Sequence, residues 1–221
     1  MTDDRKSGIA LIAGSLGGIL TMAIHPSGAA SLTADQVAHL AVVSAAAHSL
    51  AMVSFLLLFL GACGLVRRIA AADRIAFAAL VTYGFACVAV LIATAVSGFI
   101  VPEIMRHMVR DVPAAAQQWT IMINGMFQIN QAFSRIFSVA ASLAIFLWSL
   151  SAPRNGGLGR GVALYGSVIT PLIIIGIVTG HLRLNVHGMA VIVLGHSIWF
   201  VIAGGQLCAR PASASAPAAL L

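Results

Sequence analysis

The sequence has very little charge. Of its 221 residues, 8 % are charged and 60 % are hydrophobic. A soluble domain carries about 25 % charged residues, so this chain cannot cover a folded surface with charge. Intrinsic disorder is excluded as well, because it requires low hydrophobicity and high net charge. The composition therefore indicates a protein whose main solvent is lipid.

Acidic residues and cysteines are also few. Six Asp and Glu stand against 12 Lys and Arg, which gives a net charge of +6. The basic residues lie at the ends of apolar runs and form no dense patch, which excludes nucleic acid as a partner and makes them topology signals. The three cysteines lie inside apolar runs without CxxC spacing, as buried thiols do. Walker A, HExxH and GxSxG motifs are absent from the sequence.

Long apolar runs are what the sequence has in abundance. Six of them approach or exceed the roughly 20 residues that cross a bilayer. Because the alternation of barrel strands is missing, they predict an all-α fold, a polytopic membrane helix bundle with about six transmembrane helices. One domain would cover 1–210, and 211–221 would form a disordered Ala/Ser/Pro tail. The predicted spans are 9–24, 40–66, 75–101, 119–150, 162–180 and 188–207.

Lys and Arg also predict the orientation of the chain. We interpret the first run as a retained helix rather than a cleaved signal peptide. Segments on the side of the N-terminus then hold eight Lys and Arg residues, and segments on the opposite side hold three. The positive-inside rule places both termini in the cytoplasm of a bacterial-type inner membrane. On the outer side, 102–118 is predicted to form a short amphipathic surface helix.

The first two and last two predicted helices share a weak pattern. His39 and His48 are nine residues apart, as are His187 and His196, and a serine follows the second histidine of each pair. A parallel duplication would produce this pattern. Similar positional constraints on two helical hairpins would produce it too. Within the first helix, Gly14 and Gly18 form a GxxxG motif that predicts close helix packing.

All seven histidines fall in the predicted outer half of the protein. Imidazole is a common metal ligand and titrates near neutral pH. Nine helical residues rise about 13.5 Å and end half a turn away, so a shared site must combine different helices. We predict an inner pair, His48 with His196, beneath an outer group of histidines. The candidate ligands are His25, His39, His48, His181, His187 and His196.

The residues near these histidines suggest which cofactor they would hold. Met22 lies one helical turn before His25, and thioether with imidazole suits Cu(I). The sequence is therefore compatible with a transition metal (copper, zinc or iron) or with haem b between two axial imidazoles. The alternative for the methionines is that they fill gaps between helices.

A polar stripe marks the fourth apolar run. Asn124, Gln128, Gln131 and Arg135 are spaced i, i+4, i+7 and i+11, which is one helical face. Arg135 is the only charge within the six predicted spans, so we expect this face to point into the bundle. There it would bind an anionic group of a substrate or cofactor. The alternative is a snorkelling arginine beside amides that hold helices together.

Three functions remain open from the sequence. The first is an integral membrane protein with a histidine-rich outer site for metal or haem, serving electron transfer, metal handling or membrane redox chemistry. The second is a small-solute permease or channel whose cavity the fourth helix lines. The third is a non-catalytic subunit of a larger membrane complex. Expected partners are the lipid bilayer and other membrane subunits or a second copy of the chain.

Overall fold

The computed structural model describes residues 3–26, 33–69, 73–110, 113–155 and 158–209, and in these ranges it is all-helical, without strands. The helices are α1 (Asp3–Ile24), α2 (Ala34–Ile69), α3 (Arg74–Ala95), a π-helical segment (Val96–Ile100), α4 (Val101–Arg110), α5 (Pro113–Asn155), α6 (Arg160–Val178) and α7 (Val186–Ala209). The proposed tail, 211–221, lies outside the described residues.

The predicted membrane helix bundle is confirmed at the level of its helices. Six helices are long and apolar enough to cross a membrane, and each overlaps one of the six predicted runs, although Arg160–Val178 ends two residues before the predicted 162–180. The third continues without a break from α3 through the π-helical segment into α4. The expected amphipathic helix is α4, which is shorter than predicted because residues from Pro113 onward already belong to α5.

Local sequence signals determine several helix ends. Thr33 and Gln36 cap α2 reciprocally, with Thr33 N donating to Gln36 Oε1 at 2.9 Å. The Asp73 side chain accepts from Ile75 N at the start of α3. Gly180, at φ 76°, ends α6 in a left-handed turn that most side chains would resist. The Asn185 side chain then caps α7.

Two helices, α1 and α5, each pack against two other helices. α1 lies against α2 and α7, and α5 lies against α3 and α6. We call the end of the bundle where α1 begins the proximal end, and the end where α1 finishes the distal end.

An aromatic cluster of Tyr83, Trp148, Trp199 and Phe200 fills the proximal half, with the two tryptophan rings stacked at 5.9 Å. Gly14 confirms the close packing of α1, because a Cβ there would lie 2.7 Å from the Ser54 carbonyl oxygen.

The helices differ greatly in length, and the excess lies at the distal end. The 19 residues of α6 rise about 28 Å, close to the roughly 30 Å of a hydrocarbon core. The 36 residues of α2 and the 43 of α5 rise about 54 and 65 Å. Gln131 Nε2 donates to the Leu184 carbonyl in the α6–α7 connection at 2.9 Å. The first part of α5 therefore extends beyond the distal ends of the shorter helices.

Candidate functional site

A cavity of about 310 Å³ lies in the distal half of the bundle, among α1, α2, α3, α5 and α7. We call it the distal cavity. Most of its wall is apolar, with a few polar groups such as His25, His48, Thr94 and Asn130 among the lining residues. A mostly apolar cavity with a few convergent polar groups is the usual form of a binding site, and this volume is at the lower end of the ordinary range.

Two histidines meet at this cavity. His25 follows the last turn of α1, and His48 lies on α2, about 30 Å from the proximal end of that helix. Their ring centroids are 5.0 Å apart, with an interplanar angle of 64°. The contact follows from the packing of α1 on α2, which brings the end of the shorter helix beside the middle of the longer one.

The hydrogen bonds of the two rings determine their tautomers. His48 Nδ1 donates to the Ser44 carbonyl at 2.7 Å, and His25 Nδ1 donates to the Pro26 carbonyl at 3.1 Å. A carbonyl oxygen can only accept, so each Nδ1 carries a proton, and each Nε2 of a neutral ring carries a lone pair. Neither Nε2 atom has a hydrogen-bond partner among the described residues.

The π-helical segment holds His48 in place. A Cβ at Gly98 would lie 2.5 Å from His48 Cβ, so only glycine allows this approach. Ser44 Oγ donates to the Ser97 carbonyl at 3.1 Å, which joins α2 to the segment. Single-turn π-helices inside α-helices often occur at functional sites. A glycine within an apolar run is the only sequence signal for this contact, and it did not predict which helix would lie against it.

Asn130 joins α5 to the same segment. Its Nδ2 donates to the Ala93 carbonyl at 2.9 Å and to Ser97 Oγ at 2.6 Å. Asn130 was not among the predicted site residues, because it lies beside the polar stripe that runs through Gln131 and not on it. The available signal was a line of serines on α5, since Ser134, Ser138 and Ser142 are buried at helical spacing.

The structure does not bring His48 and His196 into one site. His196 Nε2 lies 2.9 Å from Ser142 Oγ on α5, beside a small space of about 20 Å³. Phe55 and Phe137 line both this space and the distal cavity, and their rings meet edge to face at 5.1 Å. Because α7 turns His196 toward α5, these apolar rings lie between it and the distal cavity.

The remaining histidines do not form the predicted outer group. His39, His181 and His187 are exposed, and the Nδ1 atom of His181 lies 2.9 Å from Thr179 Oγ1 in the α6–α7 connection. In the part of the chain that the structure describes, no group of three or more His, Cys, Asp or Glu side chains could hold a metal ion. The one contact between histidine rings in that part is His25 with His48.

The polar stripe of the fourth run does not face the interior. Asn124, Gln128, Gln131 and Arg135 are all exposed. The prediction of an inward stripe was wrong because α5 is longer than a membrane span, and Arg135 lies about 30 Å from its proximal end, near the distal edge of a hydrocarbon core. Arg135 and Gln131 instead line a surface groove with Arg183 of the α6–α7 connection. Of the four, Gln131 also reaches the distal cavity.

Comparison with protein-family models, with curated proteins and with solved structures finds no match to this chain.

Proposed function

We propose that this protein binds a single Cu(I) ion within the membrane, at His25 and His48. The observation that carries the proposal is the contact of two imidazoles from different helices, each with Nδ1 bonded to a backbone carbonyl. Metal-bound histidines usually donate their other ring N–H in this way, which fixes the ring and leaves the second nitrogen for the metal.

The ring separation suits one shared ion. With metal–nitrogen bonds of about 2.0–2.1 Å, two imidazoles on a tetrahedral ion have centroids about 5 Å apart, and those of His25 and His48 are 5.0 Å apart. Haem is disfavoured, because its axial ligands lie on opposite faces of a porphyrin and these two rings touch. The proposal therefore concerns an ion rather than haem.

The available donors favour copper over zinc or iron. The thioethers of Met22 and Met189 line the same cavity, and thioether with imidazole is a soft donor set that suits Cu(I). None of the described residues lining the cavity is acidic. A monovalent ion is easier to place there than a divalent one, since a buried charge without a counter-charge is costly.

The predicted orientation of the chain in the membrane indicates on which side the copper site lies. Six apolar helices are compatible with a multi-pass membrane protein, and the Lys and Arg bias favours a bacterial-type inner membrane with both termini in the cytoplasm. The distal cavity would then lie toward the outer surface. Copper handling at that surface is the function that we propose. The expected partners are other membrane subunits or a second copy of the chain.

Copper titration tests the proposal directly. The detergent-purified protein, with its three cysteines replaced by alanine to remove thiol binding, is titrated with Cu(I) against a chromophoric chelator. We expect one Cu(I) per chain, and affinity lower by about tenfold or more in His25→Ala and His48→Ala. His181→Ala is the matched control, because His181 is exposed and lies outside the cavity. Unchanged affinity in both His25→Ala and His48→Ala would refute the site.

A further inference from the structure

A second cavity lies on the outside of the bundle, between α2 and α3. It is a groove of about 690 Å³ with an almost entirely apolar wall, and we call it the lateral groove. Phe85 and Val88 on α3 contribute to it and are 67 % and 57 % exposed. Both helices belong to the membrane-spanning set, so hydrocarbon chains of the bilayer are what this groove would face.

One side chain borders both the lateral groove and the distal cavity. Phe55 lines both spaces, and no other described residue does. Next to it on α2, Ala51 lines the cavity and Met52 lines the groove. On α3, Val90 lines the cavity and Leu91 lines the groove. The two spaces are therefore neighbours at one level of the bundle, and the Phe55 ring lies at the boundary between them.

The two spaces differ in chemistry. The groove presents hydrocarbon, whereas the cavity adds hydroxyl, amide and imidazole groups, including those of Thr94, Asn130 and Asn185. No Asp, Glu, Lys or Arg is among the described residues that line either space. In the metal-free protein, a charged head group would enter the cavity without a counter-charge, which is unfavourable. An uncharged head group that forms hydrogen bonds matches this wall.

We propose that Phe55 is a gate through which an uncharged single-chain amphiphile passes from the bilayer into the distal cavity. Its polar end, an alcohol or a similar neutral group, lies among the polar side chains of the cavity, and its hydrocarbon chain lies in the lateral groove. Rotation of the Phe55 ring away from Phe137 opens the passage. This proposal concerns the metal-free cavity and is independent of the copper site, because neither the lateral groove nor Phe55 belongs to that site.

Photolabelling in lipid nanodiscs tests the gate. The probes are two diazirine derivatives of hexadecanol, one with the diazirine beside the hydroxyl carbon and one with it near the chain end. The protein is used metal-free, in the presence of a chelator, so that failure of this test and failure of the copper site are distinguishable. Labelled positions are mapped by mass spectrometry, with and without excess unlabelled hexadecanol.

In the wild-type protein, the hydroxyl-side probe should label cavity residues such as Thr94, and the chain-end probe should label groove residues such as Val88. Excess unlabelled hexadecanol should suppress both. Phe55→Trp, which fills the passage, should lose the cavity labelling and keep the groove labelling. In Phe55→Ala, the probe should label the cavity residues faster than it does in wild type. Phe59→Ala is the matched control, because Phe59 lines only the groove, and it should behave as wild type in the cavity.

Two results would overturn the proposal. The first is cavity labelling that is the same in wild type, Phe55→Trp and Phe55→Ala, which means that the probe enters from the distal end. The second is the absence of competitive cavity labelling in both wild type and Phe55→Ala. Thermal unfolding of each variant shows whether it is folded, and Phe55→Ala keeps the test decisive if Phe55→Trp does not fold.

Discussion

Gly98 and His48 are in direct contact where the π-helical segment packs on α2: a Cβ on Gly98 would lie 2.5 Å from His48 Cβ and 2.7 Å from its Cγ. The backbone of the π-helical segment thus forms one side of the pocket in which the imidazole is held. Any side chain at this position must move His48 or the segment itself.

Gly98→Ala should therefore weaken copper binding and the fold together. Overpacking of this kind costs about 1–3 kcal/mol of unfolding free energy, and displacement of the ring should lower the Cu(I) affinity. Gly125→Ala is the matched control on α5, because nothing lies within 4 Å of the added Cβ. Denaturant unfolding and copper titration of both variants measure the effect. If Gly98→Ala binds Cu(I) as tightly as wild type, His48 is not held as the structure indicates.

His196 should act as a structural residue. Its Nε2 is hydrogen-bonded to Ser142 Oγ in the core, so His196→Ala leaves a buried hydroxyl without that partner. We expect an unfolding free energy lower by about 1–3 kcal/mol and an unchanged Cu(I) affinity. Ser142→Ala removes the same bond from the other side and should also leave copper binding intact. A loss of copper from folded His196→Ala protein would instead restore the pairing of His48 with His196.

The two glycines of the GxxxG motif should differ in their tolerance of substitution. A Cβ on Gly14 would lie 2.7 Å from the Ser54 carbonyl and 2.8 Å from Leu58 Cγ, whereas a Cβ on Gly18 would lie an ordinary 3.6 Å from Val193. Gly14→Ala should lower the unfolding free energy by about 1–3 kcal/mol, and Gly18→Ala should be neutral or slightly stabilising. Unfolding in mild detergent compares the two, and equal stabilities would contradict the close approach of α1 to α2.

Reporter fusions test the orientation of the chain. With six spans and the observed Lys and Arg bias, fusions after Ala71 and Asn155 should report a cytoplasmic position, and fusions after Leu32 and Ala115 an external one. The distal end of the bundle would then face outward. An inverted pattern would place the distal cavity on the cytoplasmic side, and a mixed pattern would contradict six spans.

The presence and approximate position of the membrane-spanning helices were predictable from the sequence, because both depend on apolar runs along the chain. The pairing of side chains was not, because it depends on which helices are neighbours and how each is rotated. His25 meets His48 because α1 packs on α2, while α7 turns His196 toward Ser142. Neither relation is encoded in the spacing of residues within one helix.

The depth of Arg135 in the membrane was not predictable from the sequence either. The apolar run predicted where α5 lies in sequence but not which part of it lies inside the membrane. Only the contact of Gln131 with the Leu184 carbonyl shows that this level of α5 meets the distal connection. The polar face that resembled an internal stripe is exposed at the distal edge of the bundle.

X-ray absorption at the copper edge tests the central claim most directly. Measured on the Cu(I)-loaded, cysteine-free protein, the spectrum should show two imidazole ligands together with sulfur from a thioether. The imidazole scattering should fall in His25→Ala and in His48→Ala and stay unchanged in His181→Ala. A spectrum without imidazole ligands, or one that neither His25→Ala nor His48→Ala alters, would contradict copper binding by this pair of histidines.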